Sequence, residues 1–400
     1  MTERLTIEKL VYGGDGLSRQ DGEVVFTPFV LPGEAVEAER TGSRRQAQRA
    51  RLINVAEPSP DRVASLCPYF GRCGGCQYQH ATYAAQLRLK RGILAETLQR
   101  VGKMEFAAER IEEIAGEPFG YRNRAQFHFE RGRIGYREMN SRKLVPIDKC
   151  PIGSPKINEA IAQLTRMVRD RRWPNFLNSL EIFTDERQVQ WNVLETEKPV
   201  AKHFFEWLSD EVPGTVFGPL EYAVNEDTFT VSGQSFFQVN RFLALRLAEL
   251  ATGDAGGETA WDLYAGVGLF SLPLARRFAR VTAVEAGRAA AADLKSNAHR
   301  ARLRIDVLQQ QTETFLLEAK DAPDFVLADP PRSGLDKAAV TRLLELRPKA
   351  IALVACDPAT LARDLAALAA GYRIERIRMV DLFPQTFHIE TIVQLARLDG

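Results

Sequence analysis

The sequence predicts a three-part α/β chain ending in a parallel sheet flanked by helices. Three observations predict it. From about residue 236, apolar runs of strand length (Thr259–Leu263, Val281–Val284, Phe325–Ala328, Ile351–Ala355) alternate with Ala/Leu-rich helical stretches, the pattern of βαβ units. Residues 118 to about 230 carry aromatic-rich strand pieces instead, and residues 1–56 carry short strands broken by Gly and Pro. At 400 residues the chain is long enough for two or three domains.

In the N-terminal domain, 1–56, Val24–Thr27 and Glu34–Glu39 read as strands set off by the Gly-rich turn Gly13–Gly16 and by Leu31–Gly33. Its tail is basic, with Arg40, Arg44, Arg45, Arg49 and Arg51, and Pro58 and Pro60 mark its boundary. The central domain, 57–235, opens with a cysteine-rich segment and a helix from Tyr83 to Val101. Arg124–Glu130, Arg133–Tyr136, Leu180–Thr184 and Val189–Val193 then predict an antiparallel sheet, with a helix near Lys156 to Arg171. The C-terminal domain, 236–400, closes with two successive strands, Ile374–Leu382 and Thr391–Leu398, and no helix between them.

Composition narrows the function classes. No apolar run reaches the roughly 18 residues of a membrane span, and the first residues lack a signal-peptide core. Five cysteines at unequal spacing argue against a disulfide framework and for a reducing, cytoplasmic compartment. The net charge is only +1, so a polyanionic partner requires local basic patches.

Two cysteine settings carry most of the chemistry. Cys67, Cys73 and Cys76 crowd one segment and Cys150 follows later; these four read as ligands of a metal or cluster. Cys356 stands alone after the apolar run Ala350–Ala355, where a strand ends. Asp357 caps the next helix and Pro358 suits its first turn. A helix N-terminus favours a thiolate, so Cys356 reads as a nucleophile, or else as a buried core cysteine. On the same sheet edge lie the Gly-rich turn Tyr264–Gly268, Glu285 at the end of the next strand, and the Asp329–Arg332 motif. Ser271 or Phe270 occupies the third position of a dinucleotide fingerprint. The turn therefore suits S-adenosylmethionine, which has no pyrophosphate, better than a dinucleotide.

A thiolate beside a methyl donor can activate uracil. Its addition to C6 makes C5 nucleophilic, and a base must then remove the C5 proton. Glu390 in Phe387–Glu390 is the candidate base, with His388 as its rival.

These residues together resemble the S-adenosylmethionine-dependent RNA uracil-C5 methyltransferases, in their cluster-containing 23S rRNA branch. The likeness covers nearly the whole chain. Gly13–Glu34 resembles the family's TRAM domain, an OB-type RNA-binding barrel. Phe236–Asn240 resembles its glutamine motif, ahead of a class I methyltransferase domain of Rossmann-like fold. The resemblance implies that Gln238, Tyr264, Glu285 and Asp329 contact S-adenosylmethionine, that Cys356 is the nucleophile and Glu390 the base. It also implies that Cys67, Cys73, Cys76 and Cys150 hold a structural [4Fe–4S] cluster. One departure is Ala265, where many relatives carry cysteine; the change is expected to be neutral.

Spacing alone leaves Cys₄ zinc and a four-iron cluster equally open; the resemblance selects the cluster. Arg122, Arg124, Arg131, Arg133 and Arg137 among Tyr121, Phe127 and Phe129 suggest phosphate contacts and stacked bases, or else solvated faces over a core. The expectation is a monomeric rRNA enzyme without membrane contact. The rivals are a tRNA T-loop enzyme, a non-catalytic iron–sulfur RNA-binding protein and a small-molecule methyltransferase.

Overall fold

The structure, a computed structural model, describes residues 2–44 and 47–399. The first six strands are β1 (Thr2–Thr6), β2 (Lys9–Leu10), β3 (Asp15–Gln20), β4 (Glu23–Pro28), β5 (Ala35–Arg44) and β6 (Ala47–Glu57). They form one sheet in the order β1-β5-β6-β4-β3-β2, antiparallel except where β4 meets β6. Its inward positions bury Leu5, Ile7, Val25, Val36 and Ala38 in a small core. A Cβ at Gly16 would lie 2.3 Å from a methyl of Val30, so only glycine lets this sheet close.

Helix α1 (Tyr83–Arg100) starts where Thr82 accepts a hydrogen bond from Ala85 N, an N-cap. It leads to β7 (Ile111–Ile114), which pairs in parallel with a strand of the C-terminal sheet, Ile377 opposite Ile111. This four-residue strand with two acidic positions gives little periodic signal.

The central sheet comprises β8 (Arg124–Glu130), β9 (Arg133–Arg137), β10 (Leu144–Pro146), β11 (Leu177–Thr184), β12 (Val189–Thr196) and β13 (Thr215–Val216). Helix α2 (Pro155–Met167) buries Ile157, Ala160, Ile161, Leu164 and Met167, an i, i+3, i+4 stripe, against it. Helix α3 (Lys202–Glu211) adds Phe204, Trp207 and Leu208 to the same core. The hairpin β14 (Leu220–Val224) and β15 (Asp227–Val231) packs elsewhere: Leu220, Phe229 and Val231 share a core with Leu247, Leu272 and Phe325.

The remaining elements are α4 (Ala244–Thr252), β16 (Gly257–Leu263), α5 (Ser271–Ala275), β17 (Phe278–Val284), α6 (Arg288–Arg300), β18 (Asp306–Leu308), α7 (Thr312–Glu318), β19 (Phe325–Ala328), α8 (Lys337–Leu346), β20 (Ala350–Ala355), α9 (Pro358–Leu368), β21 (Tyr372–Val380) and β22 (Glu390–Arg397). With β7 they build an eight-stranded sheet, β18-β17-β16-β19-β20-β22-β21-β7. Val326, Ile351 and Leu353 face one hydrophobic core; Phe325, Leu327, Ala352 and Val354 face the other. Burial on both faces explains the unbroken apolar runs of these strands. The sheet is mixed rather than parallel throughout, because β22 inserts antiparallel between β20 and β21. Among the described residues no helix is long and apolar enough to cross a membrane.

Candidate active site

Five residues named by the sequence lie along one edge of this sheet. Tyr264 follows β16, Glu285 follows β17, Asp329 follows β19 and Cys356 follows β20. Glu390 opens the antiparallel β22, where the pairing of Ala355 with Thr391 puts Cys356 beside Glu390. The spatial order is therefore Glu285, Tyr264, Asp329, Cys356, Glu390. At about 4.8 Å per strand, Cys356 has a carboxylate one strand away on each side, and Glu285 lies roughly 14 Å from it. Strand order reverses at β16 and β19, the place where open α/β sheets bind ligands.

The Gly-rich turn is shaped for a close neighbour. Tyr264 adopts φ +62°, a left-handed conformation disfavoured for a bulky residue. A Cβ at Gly266 would meet nothing within 4 Å, so the space over the turn is open. The Glu285 carboxylate accepts from Gly266 N at 2.8 Å and Gly287 N at 2.6 Å, which fixes its direction. Tyr264 donates its hydroxyl to Glu313 at 2.9 Å. Ala265 packs with Ala283 and Leu294. Behind the turn, buried Asp262 bonds Ser271; burial raises its carboxyl to about 7, against the Ser271 bond and aided by Asp329 and Glu285.

Gln238 lies in the segment Ser232–Asn240, which is held from two sides. Asp293 on α6 accepts from Ser232 N, Ser232 Oγ and Ser235 Oγ at 2.8, 2.7 and 2.6 Å. From the central sheet, Arg124 donates to Ser235 O at 2.9 Å. Asp293 has no motif around it and was not legible in the sequence.

The electrostatics at Cys356 differ from one expectation, that a helix end favours its thiolate. Asp357 does cap α9, accepting from Ala359 N at 2.9 Å and Thr360 N at 3.0 Å. Even so, the Cys356 thiol is pushed up to about 11, first by burial and then by Glu390 and Asp329, with Arg332 opposing. Burial, aided by two nearby carboxylates, outweighs one helix end. Burial raises Asp329 to about 7. Burial and then Asp329 hold the Glu390 carboxyl well above the usual range, with Arg332 opposing. Burial lowers His388 to about 4, and its ring packs on Phe387 with centroids 4.3 Å apart.

The loop before Glu390 is clamped by residues from α1, from the segment after Cys76 and from the end of the Phe236–Asn240 motif. Lys90 on α1 donates to Asp381 at 2.6 Å and Phe383 O at 3.0 Å. Gln86 and Gln385 exchange two bonds of 2.9 Å. Gln77 N and Tyr78 N, directly after Cys76, both donate to Gln385 O. Tyr121 and Asn240 donate to Pro384 O and Leu382 O, both at 3.0 Å.

Cys67, Cys73, Cys76 and Cys150 line one open cavity of about 660 Å³, together with Arg49, Arg122, Arg137, Tyr12 and Phe387. Burial raises all four thiols, Cys73 to about 11, and the Cys73 and Cys76 thiols each feel the charge of the other two or three. Among the described residues, no three His, Cys, Asp or Glu side chains are grouped so as to hold a metal ion.

The basic-aromatic patches differ from expectation. Arg40 pairs with Glu3 and Glu23, Arg49 with Asp15 at 3.0 Å, and Arg51 with Glu39 at 2.5 Å. Arg45 lies outside the described residues. Arg124 is buried between Glu181 and Phe183. Tyr121, Phe127 and Phe129 are buried and cannot stack on bases. Alternation along β8 turns Phe127 and Phe129 inward. Phe236, 62% exposed and two residues from Gln238, is an accessible aromatic instead.

A family model described as tRNA (Uracil-5-)-methyltransferase matches residues 219–398, from the β14 hairpin through β22. The chain is 34% identical to a protein of Aquifex aeolicus described as an uncharacterized RNA methyltransferase, over 98% of both chains. It is 30% identical to one of Thermotoga maritima with the same description, over the full length of each. The crystal structure of Pyrococcus abyssi tRNA (uracil-54, C5)-methyltransferase in complex with S-adenosyl-L-homocysteine superposes with a TM-score of 0.80. The identity is 26%, over 98% of this chain and 99% of that one.

Proposed function

Because the chain belongs to the RNA uracil-5-methyltransferase family, we propose that it methylates C5 of a uridine in 23S rRNA through a covalent adduct between Cys356 and C6 of the base. The observation that carries this reading is the half-buried Cys356 with Asp329 and Glu390 on the flanking strands.

The cofactor edge fits S-adenosylmethionine. The space over Gly266 is open to a ligand, and Glu285, fixed by two backbone N–H groups, is the proposed acceptor for ribose hydroxyls. Gln238, Tyr264 and Asp329 are the further contacts in this reading. When bound, S-adenosylmethionine supplies the electrophilic methyl group. The chain's own residues then do three things. The Cys356 thiol passes its proton to Asp329, which leaves Glu390 free to act as base, and its sulfur bonds C6, moving electron density to C5. After C5 has gained its methyl group, Glu390 takes the C5 proton. The C6–S bond then breaks, the double bond re-forms, and Cys356 leaves. A carboxylate of raised pKa is poised to pick up that proton.

Cys67, Cys73, Cys76 and Cys150 are the proposed ligands of a [4Fe–4S] cluster. The fit rests on an all-thiol donor set around one cavity. Among the described residues no three such side chains are grouped to hold a metal ion of either kind, so the choice of cluster over zinc rests on the resemblance of the cysteine pattern to the cluster-containing branch. The cluster's role would be structural. The N-terminal sheet is proposed as the TRAM-type RNA module, with Arg49, Arg122 and Arg137 offered to phosphates along the cavity. A second reading, a tRNA T-loop uridine, is favoured by the likeness to the archaeal tRNA enzyme. Incubating the purified protein separately with 23S rRNA and tRNA, then measuring 5-methyluridine by nucleoside mass spectrometry, decides between them. Methylation of tRNA alone contradicts the rRNA reading, and no 5-methyluridine in either contradicts both.

A further inference from the structure

One residue of the N-terminal sheet reaches the active site. Tyr12 follows β2 in a turn closed by Val11 N to Asp15 O at 2.9 Å and Gly14 N to Val11 O at 3.1 Å. The turn lies flush on the segment after Cys76, since a Cβ at Gly14 (φ +95°) would sit 2.9 Å from Gln77 Cβ. Tyr12 is thereby fixed from both sides. Its hydroxyl donates to the backbone carbonyl of Cys356 at 3.2 Å. Its ring meets Phe387 edge-on, with centroids 5.4 Å apart and planes at 85°. Phe387 N in turn donates to Gln77 Oε1 at 3.4 Å. Tyr12 therefore touches both loops of the site, at the nucleophile itself and three residues before the base.

We infer that Tyr12 is a positioning residue: its hydroxyl holds the Cys356 backbone, and so the direction of the thiol, while its ring steadies the loop that carries Glu390. The inference rests on the proposed covalent reading. It makes the N-terminal sheet part of the reaction centre as well as a handle for RNA. Cys356 lies just beyond the last ladder pair of β20, Ala355 with Thr391. Its orientation is therefore not set by sheet pairing, and a bond to its carbonyl supplies what the ladder does not. Burial, reinforced by Asp357 and Cys356, keeps the phenol protonated and a donor.

The test is single-turnover adduct formation with RNA carrying 5-fluorouridine, at saturating RNA and S-adenosylmethionine. Tyr12→Phe keeps the ring and loses one neutral hydrogen bond. The expected result is an adduct rate about 3- to 10-fold lower, with RNA Kd and S-adenosylmethionine Kd unchanged. Tyr12→Leu also loses the contact with Phe387 and should in addition slow release of methylated RNA from an unfluorinated substrate. A wild-type rate at saturation in both variants overturns the inference, as does weakened RNA binding with a normal rate, which makes Tyr12 an RNA contact only. Cys356→Ala is measured alongside. If it turns over, the covalent reading fails; if it is inert while Tyr12→Phe is normal, only the role of Tyr12 fails.

Discussion

Lys90→Met tests how the loop before Glu390 is held. The Lys90 ammonium lies 2.6 Å from Asp381, and both side chains are fully buried. It also donates to Phe383 O, seven residues before Glu390. Methionine fills similar volume but leaves the Asp381 charge buried without its partner. Breaking one half of such a pair costs about 3–5 kcal/mol, a large share of the roughly 5–15 kcal/mol that holds a domain folded. At about 2–4 °C per kcal/mol for a domain of this size, the unfolding midpoint should fall by roughly 6–20 °C. Lys90→Met with Asp381→Leu removes both charges and both desolvation costs. It should return to within about 1–2 kcal/mol of wild type, because apolar replacements of buried pairs are often neutral. Urea and thermal unfolding of the three proteins measure this. A single variant that loses under about 1 kcal/mol would refute the reasoning, as would a double variant no better than the single one.

Three further outcomes follow from the site. Glu390→Gln should still bind S-adenosylmethionine, form the adduct and transfer the methyl group. It should release RNA about a hundredfold or more slowly, so ordinary RNA accumulates as a methylated covalent complex on a denaturing gel. If His388→Ala traps the complex instead, the base is His388. With the Cys356 thiol near 11 and the Asp329 carboxyl near 7, a carboxylate that accepts the thiol proton makes adduct formation rise as it ionises through about pH 7 and then level off. A rate that keeps climbing about tenfold per pH unit to about pH 9 would contradict that proton transfer and make free thiolate the reactant. Protein purified without oxygen should be brown and carry about four irons per chain; a colourless, active protein with one zinc would contradict the cluster.

What the sequence made legible follows from local signals. Strands buried on both faces, such as Phe325–Ala328 and Ala350–Ala355, stand out as apolar runs. The Gly-rich turn and Cys356–Pro358 announce themselves through backbone needs that few residues meet. Less legible were features set by tertiary context. The strand Ile111–Ile114 is too short and too acidic to carry a period, and its place depends on β21, more than 250 residues later. The aromatics of β8 alternate with polar residues whether they face RNA or a core, so only packing decides that they turn inward. The direction of the thiol shift was missed because a helix end is visible in sequence, whereas the burial of Cys356 and its two flanking carboxylates exist only once β19, β20 and β22 are neighbours. Tyr12, Lys90, Gln86, Asp293 and Gln385 act through bonds to residues far away in the chain, which leave no spacing to read.

The covalent chemistry at Cys356 is tested most directly by incubating the protein with 5-fluorouridine RNA and methyl-labelled S-adenosylmethionine. C5 then carries fluorine, and no proton can be removed to free the enzyme. The account predicts a denaturation-resistant protein–RNA band that carries the label, with the RNA mapping to the peptide that contains Cys356. Cys356→Ala should give no band and no turnover. A labelled RNA product without any band, or full activity in Cys356→Ala, would contradict it.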